Sequence, residues 1–232
     1  MKKIFLACMS ITVLMLTFGK ANAQKPSSEL LTPTNHVLVL IDLEGQMGFA
    51  TKNIGMDELR NNVGIVAGAS KIFNVPTIVT TASEKSFSGP VFTELSEFYP
   101  VASYIDRTTM NTWEDVNTYK AITGKNKKKI VFAGLWTSVC IVEPALSAKA
   151  DGYDVYIITD AAGDMSREAH EMAINRMMQA GVKTMTSIQY LLELQRDWAR
   201  SETYVAVTDL IKKYGGTYGI GVQYAHEMLK QH

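Results

Sequence analysis

The sequence predicts an α/β domain of the doubly wound, Rossmann-like kind, with helices on both faces of a parallel sheet. Two observations carry this. Short apolar runs without polar alternation, Val37–Ile41 above all, are what a strand buried on both faces requires. Such runs alternate with helix-length segments between residues 36 and 186. Right-handed crossovers then make the three-layer doubly wound arrangement the economical solution.

The elements follow in order. Val37–Ile41 is the first strand and ends at Asp42; a helix is expected from Met56 to Phe73, and a strand from Thr77 to Thr81 after Pro76. A helix at Val91–Phe98 leads to a short strand at Ala102–Ile105, with Arg107 just beyond it. Trp113–Ile122 reads as a helix closed by Gly124. The fourth strand is Ile130–Ala133, and a helix after Cys140 ends near Gly152. Strand Val155–Thr159, helix Ser166–Ala180 and strand Lys183–Thr186 complete six strands. Residues 187–232 look helical and add no strand. Their apolar residues, among them Tyr190, Leu191, Trp198, Tyr204, Val205, Leu210 and Ile211, are expected to cover a sheet edge or meet a partner.

The ends of the chain read differently. Lys2 and Lys3, the apolar stretch Ile4–Phe18 and Ala21-Asn22-Ala23 have the form of an export signal over residues 1–23. The mature chain is therefore expected to begin at Gln24, to be periplasmic or secreted, and to keep no membrane segment. Residues 24–35 read as an extended arm, 36–200 as the domain, and 201–232 as a helical extension. The 23 basic and 23 acidic residues cancel, so no global field recruits nucleic acid or an anionic membrane. Lys125, Lys127, Lys128 and Lys129 form a local basic run, expected to be a solvated turn. There is no glycine-rich phosphate loop, and no histidine lies between Val37 and Glu168, so neither nucleotide, metal nor other cofactor is expected.

Loss of residues 1–23 removes Cys8 and leaves Cys140 as the single cysteine. It stands at a strand-to-helix turn, where helix-terminal amides are expected to lower the thiol pKa and make it label well below pH 8. In an open parallel sheet, ligands bind beyond the carboxyl ends of the strands, near the point where strand order reverses. Asp42, Arg107 and Cys140 occupy three such ends. If the first and fourth strands are neighbours, the three converge. Asp42 can then take the thiol proton and pass it to a leaving group, with Arg107 holding the carboxylate. Arg107 itself is too basic to shuttle protons. Phe87, Trp113 and Trp136 are candidates for the wall of a small apolar pocket, and equally for core packing.

Three stretches resemble the isochorismatase-like cysteine hydrolase superfamily. They are Val39-Leu40-Ile41-Asp42, Ile105-Asp106-Arg107 followed by Asn111-Thr112-Trp113, and Gly134 through Trp136 to Cys140. Val139–Ala148, Asp160–Gly163 and Arg176–Gly181 resemble its YcaC-like branch. The resemblance covers about residues 35–200. It implies a six-stranded parallel sheet and an Asp, Lys, Cys triad that hydrolyses amides through a thioester. It also implies a cis peptide between Leu135 and Trp136, which aims the amides of Trp136 and Cys140 at one oxygen, an oxyanion hole. A closed homo-oligomer, tetramer or octamer, is implied as well.

The chain departs from the family pattern in places. Arg107 matches the lysine position, and Lys85 is the one other lysine placed to reach the cleft. Glu44 stands where many amidases of the superfamily carry glutamine. Glu143, one turn from the thiol, is expected to point away. Three readings follow: a metal-independent hydrolase of a small amide, imide or carbamoyl compound, a non-hydrolytic binder on the same fold, and a redox-responsive thiol protein.

Overall fold

The computed structural model describes residues 25–230; the export-signal reading of 1–23 lies outside them. All six strands are parallel, in the order β3-β2-β1-β4-β5-β6. The strands are β1 (His36–Ile41), β2 (Thr77–Ala82), β3 (Ile105–Arg107), β4 (Lys129–Leu135), β5 (Asp154–Gly163) and β6 (Lys183–Met185). β1 and β4 are direct neighbours, with Ile41 opposite Gly134. Strand order reverses between them, so the cleft expected at a switch point opens over Asp42.

The nine α-helices among the described residues are α1 (Gly45–Phe49), α2 (Met56–Ile72), α3 (Thr93–Ser96), α4 (Val116–Thr123), α5 (Val142–Ala150), α6 (Arg167–Gln179), α7 (Ser187–Gln195), α8 (Ser201–Tyr214) and α9 (Gly216–Leu229). The sheet divides the core in two, because alternate side chains of a strand face opposite ways. Leu38, Leu40, Val131, Ala133 and Leu135 pack with residues of α2, α7 and α8 on one face. Val37, Val39, Ile41, Ile130 and Phe132 pack with α4, α5 and α6 on the other. Each such aliphatic side chain, fully withdrawn from water, contributes about 1.5–3 kcal/mol.

Several expected boundaries shift. The third strand is Ile105–Arg107 rather than Ala102–Ile105, because a 3-10 turn at Val101–Ser103 follows Pro100 and delays extension. The Trp113–Ile122 helix is split: Thr112–Glu114 is a 3-10 turn, and Asp115 then caps α4 by accepting from Thr118 N–H at 2.7 Å. The Val91–Phe98 helix shrinks to the single turn α3. β5 runs four residues beyond Thr159, with a bulge in its pairing to β4 between Phe132 and Gly134.

The basic run also needs correction. Lys129 is buried, and its ammonium donates to the carbonyls of Ser28, Glu29 and Leu30 at 2.5, 3.1 and 2.9 Å. It therefore clamps the N-terminal arm onto the start of β4. The carbonyl of Leu31 is held in turn by Arg196 at 2.9 Å. At the other end, α8 is part of the domain wall: Gly64 and Gly68 of α2 admit Tyr214 and Leu210, and an added Cβ would lie 2.7 and 2.3 Å from them. Val207 and Ile211 are fully buried there. On α8 and α9 the large apolar side chains that stay exposed include Tyr204, Val205, Ile220, Tyr224, Met228 and Leu229. Among the described residues, no helix is long and apolar enough to cross a membrane.

Candidate active site

β1 delivers Asp42 in a left-handed backbone conformation, φ 51°, which aspartate tolerates better than most residues. Its N–H still donates to Thr80 O at 3.0 Å, so the turn leaves the sheet under control. Across from it, Gly134 has φ 144°, and a Cβ there would lie 1.9 Å from the carbonyl oxygen of Ile41. Only glycine allows β4 to pass so close to the turn that carries Asp42. β3 brings Arg107 beside Ala82 of β2.

The three side chains meet in a closed environment. Asp42, Arg107 and Cys140 are 0%, 4% and 2% exposed. Arg107 Nη2 donates to Asp42 Oδ2 at 2.7 Å, and Arg107 Nη1 to the carbonyl of Thr109. Asp42 Oδ1 is buried and accepts from no donor among the described residues. The other buried, unpartnered side-chain atoms are Arg107 Nε, Glu44 Oε1, Thr80 Oγ1 and Thr112 Oγ1. They belong to the ends of β1, β2 and β3 or the segments just after them. A folded core tolerates few such atoms, so their concentration marks a place prepared for a ligand.

The turn that carries Cys140 is a π-helical segment, Thr137–Ile141, continuous with α5. Such segments recur at functional sites. It is pinned from β5 and the loop after it. Asp164, fully buried, accepts from Ser138 N–H at 2.7 Å, and Thr137 Oγ1 donates to Gly163 O at 3.1 Å while meeting His170 Nδ1 at 2.8 Å. The sequence reading misses Asp164 and His170, since their partners are 26 and 33 residues away. The Leu135–Trp136 peptide is cis. Trp136 turns its indole away to donate to Met47 O at 3.0 Å, and the ring packs on the α2 side of the core.

Two proposed pocket residues lie elsewhere. Trp113 is a core residue: its indole donates to Asp151 at 2.9 Å, at the end of α5 remote from Cys140, and its ring meets Tyr119 and Tyr153 edge-on. Phe87 sits in the loop after β2, 67% exposed, and forms no wall in the single chain. Lys85, in the same loop, is exposed and leaves Arg107 as the cation of the site.

The electrostatics overturn one expectation. Burial pushes the Cys140 thiol up to about 12, with the Asp42 carboxylate raising it further and Arg107 opposing. The helix-end effect on which the low-pKa reading rests is outweighed by desolvation. Asp42 is raised to about 6, again by burial, against the pull of Arg107. Near neutral pH the free protein thus holds a thiol beside a carboxylate. Alkylation by iodoacetamide at Cys140 is accordingly expected to be slow at pH 7 and to rise about tenfold per pH unit up to at least pH 9, following the thiolate fraction. A rate that levels off below pH 8 would contradict this protonation state.

An open parallel sheet with a thiol, a carboxylate and a guanidinium buried at its switch point defines the class of protein. The chain belongs to the isochorismatase family: the model of the isochorismatase domain matches residues 36–189, and the similarity places it in the YcaC-like branch. The probable hydrolase YcaC of Escherichia coli is 36% identical over 169 residues, covering 72% of this chain and 81% of the relative. The crystal structure of the E. coli YcaC gene product, described as an octameric hydrolase of unknown specificity, superposes with a TM-score of 0.81 at 32% identity. The match covers 89% of this chain and all of that one. YcaC from Pseudomonas aeruginosa, solved with hexane-2,5-diol and covalent acrylamide, gives 0.80 at 30% identity, over 87% and 100% of the two chains. The fold is that of these hydrolases, and family membership supports an enzyme.

Proposed function

We propose that the protein is a metal-independent cysteine hydrolase that cleaves the C–N bond of a small amide, imide or carbamoyl compound through a thioester on Cys140. The observation that carries this is the burial of Cys140 with Asp42, whose Oδ1 is free to accept while Oδ2 is fixed by Arg107. Among the described residues no group of three or more histidines, cysteines or carboxylates is arranged to hold a metal.

In this mechanism the thiol proton passes to Asp42 as sulfur attacks the carbonyl carbon. The oxyanion is held by the amides of Trp136 and Cys140. Asp42 then protonates the leaving nitrogen, the C–N bond breaks, and a thioester remains. Asp42 next takes a proton from water, whose oxygen attacks the thioester carbon; the C–S bond breaks and the leaving sulfur takes that proton from Asp42, which restores thiol and carboxylate. A raised thiol pKa suits this route, because ionisation is coupled to attack. It weighs against a redox-sensing role, which needs a standing thiolate.

The base must be ionised in the free enzyme. The raised Asp42 pKa therefore sets the acid side of the profile, and kcat/KM is expected to fall as pH drops through about 6. A profile flat from pH 7 down to 4.5 would remove Asp42 as the base. The reading as a whole is tested by a screen of small amides, imides and carbamoyl compounds for ammonia or amine release, with Cys140→Ala as the control.

Export and assembly belong to the same proposal. The E. coli relative is octameric, and this chain leaves Tyr204, Val205, Ile220, Tyr224, Met228 and Leu229 of α8 and α9 exposed. A stable homo-oligomer of at least four copies is expected, exported and cut before Gln24, that loses assembly on truncation before Ser201. Light scattering at low micromolar concentration that returned a monomer mass would refute it.

A further inference from the structure

We propose that Glu44 is a further substrate-binding residue, a neutral carboxylic acid whose Oε1–H donates a hydrogen bond to a carbonyl oxygen of the bound substrate. The proposal deepens the hydrolase reading and rests on it for the nature of the acceptor. Glu44 lies two residues beyond Asp42 and is fully buried. Its Oε2 accepts from Ala82 N–H at 3.1 Å, at the end of β2. Its backbone is tied to Val91 by an antiparallel bridge, so the side chain is held from two sides. Oε1 has no partner among the described residues. A buried polar atom held in place and left without a partner is costly unless something else completes it.

Its surroundings decide which form it takes. Desolvation pushes Glu44 up to about 8, and Asp42 at the end of β1, Asp106 on β3 and Glu84 in the loop after β2 all oppose its ionisation. Arg107, the cation facing this cluster, is committed to Asp42 and Thr109. Cys140 from the nucleophile turn is a neutral thiol at this pH. Glu44 is therefore protonated at neutral pH, with one accepting oxygen satisfied by Ala82 and one hydroxyl that lacks an acceptor. A carboxylic acid in that form copies the donor–acceptor pattern of the glutamine found at this place in many amidases. Substrates with two carbonyls, imides among them, can place one oxygen on the amides of Trp136 and Cys140 and a second on Glu44. As Glu44 ionises, the donor is lost and a second negative charge appears beside Asp42.

The test uses alkylation of Cys140, because it reads recognition without requiring turnover. Iodoacetamide is a small amide with a carbonyl acceptor; iodoethane is of similar size and has none. The ratio of their rates at Cys140, followed by peptide mass, cancels the pH dependence of the thiolate itself. Glu44→Met is expected to lower the iodoacetamide-to-iodoethane ratio at pH 7 by about tenfold. The wild-type ratio is expected to fall toward that value above pH 8. Glu44→Gln, which keeps a donor, recovers most of the ratio and holds it level from pH 7 to 9.5. A Glu44→Met ratio equal to wild type, or a wild-type ratio level across pH 7–9.5, would overturn the proposal. If Glu44→Met fails to fold, the contrast in pH dependence between wild type and Glu44→Gln decides alone. Level ratios together with loss of amide hydrolysis in Cys140→Ala sink Glu44 and leave the hydrolase standing. Hydrolysis surviving in Cys140→Ala sinks the hydrolase reading, while the ratios still report on Glu44.

Discussion

Cys140→Ala is expected to lower amide hydrolysis by at least about a thousandfold, to the background of the assay, while the melting temperature changes little. The chemical argument is that, among the described residues, no second thiol shares the site to take over the acyl group. The structural argument is that the substitution removes one sulfur atom and leaves the backbone of the Thr137–Ile141 turn unchanged. That turn is held by Asp164 and Thr137. A small cavity in the layer of Ile41, Ile141 and Val142 is the main cost, about 1 kcal/mol. Circular dichroism and thermal melting beside the assay separate the two effects. Residual turnover within tenfold of wild type would end the assignment of the nucleophile.

Asp42→Asn is the second large effect, and it acts on activity and stability together. An amide cannot take the thiol proton, so kcat/KM is expected to drop about 10³–10⁴-fold. The acid limb near pH 6 should vanish with the carboxylate, and residual activity should climb with pH as free thiolate appears. The substitution also leaves the Arg107 guanidinium buried without its counter-charge, where it is 4% exposed. Removing one partner of such a pair costs about 3–5 kcal/mol. The variant is therefore expected to fold with a clearly lower melting temperature. A loss of activity that kept the acid limb at pH 6 would show that another group is the base.

The architecture is legible in the sequence where burial leaves one solution. Val37–Ile41 and Ile130–Ala133 have no polar face, and a strand with no polar face belongs in the middle of a covered parallel sheet. With the strand order common to doubly wound sheets, that brings Asp42 and the Cys140 turn side by side, and Ile41 does pair with Gly134. Arg107 is legible for the same reason, although its strand begins three residues later than the apolar pattern indicates. The rest depends on tertiary neighbours. The thiol pKa follows from how completely the fold excludes water around Cys140, which local helix-end reasoning does not contain. Lys129 looks like one lysine of a basic run until the arm supplies three carbonyls to it. Trp113 stands at the head of an expected helix shortly after Arg107, and the position of Asp151 commits it to the core. Asp164 and Glu44 carry no periodic signal. Their importance lies in a backbone N–H and an empty oxygen that only folding defines.

The central claim, an acyl group carried on Cys140, is tested most directly by trapping it. Protein mixed with the best amide from the screen is quenched in acid within the first turnover, and the peptide spanning Cys140 is weighed. The account predicts a mass increase equal to the acyl portion of the substrate on Cys140, absent from Cys140→Ala and formed far more slowly in Asp42→Asn. Turnover of the amide with no adduct on Cys140 at any quench time, and with Cys140→Ala still active, would contradict it.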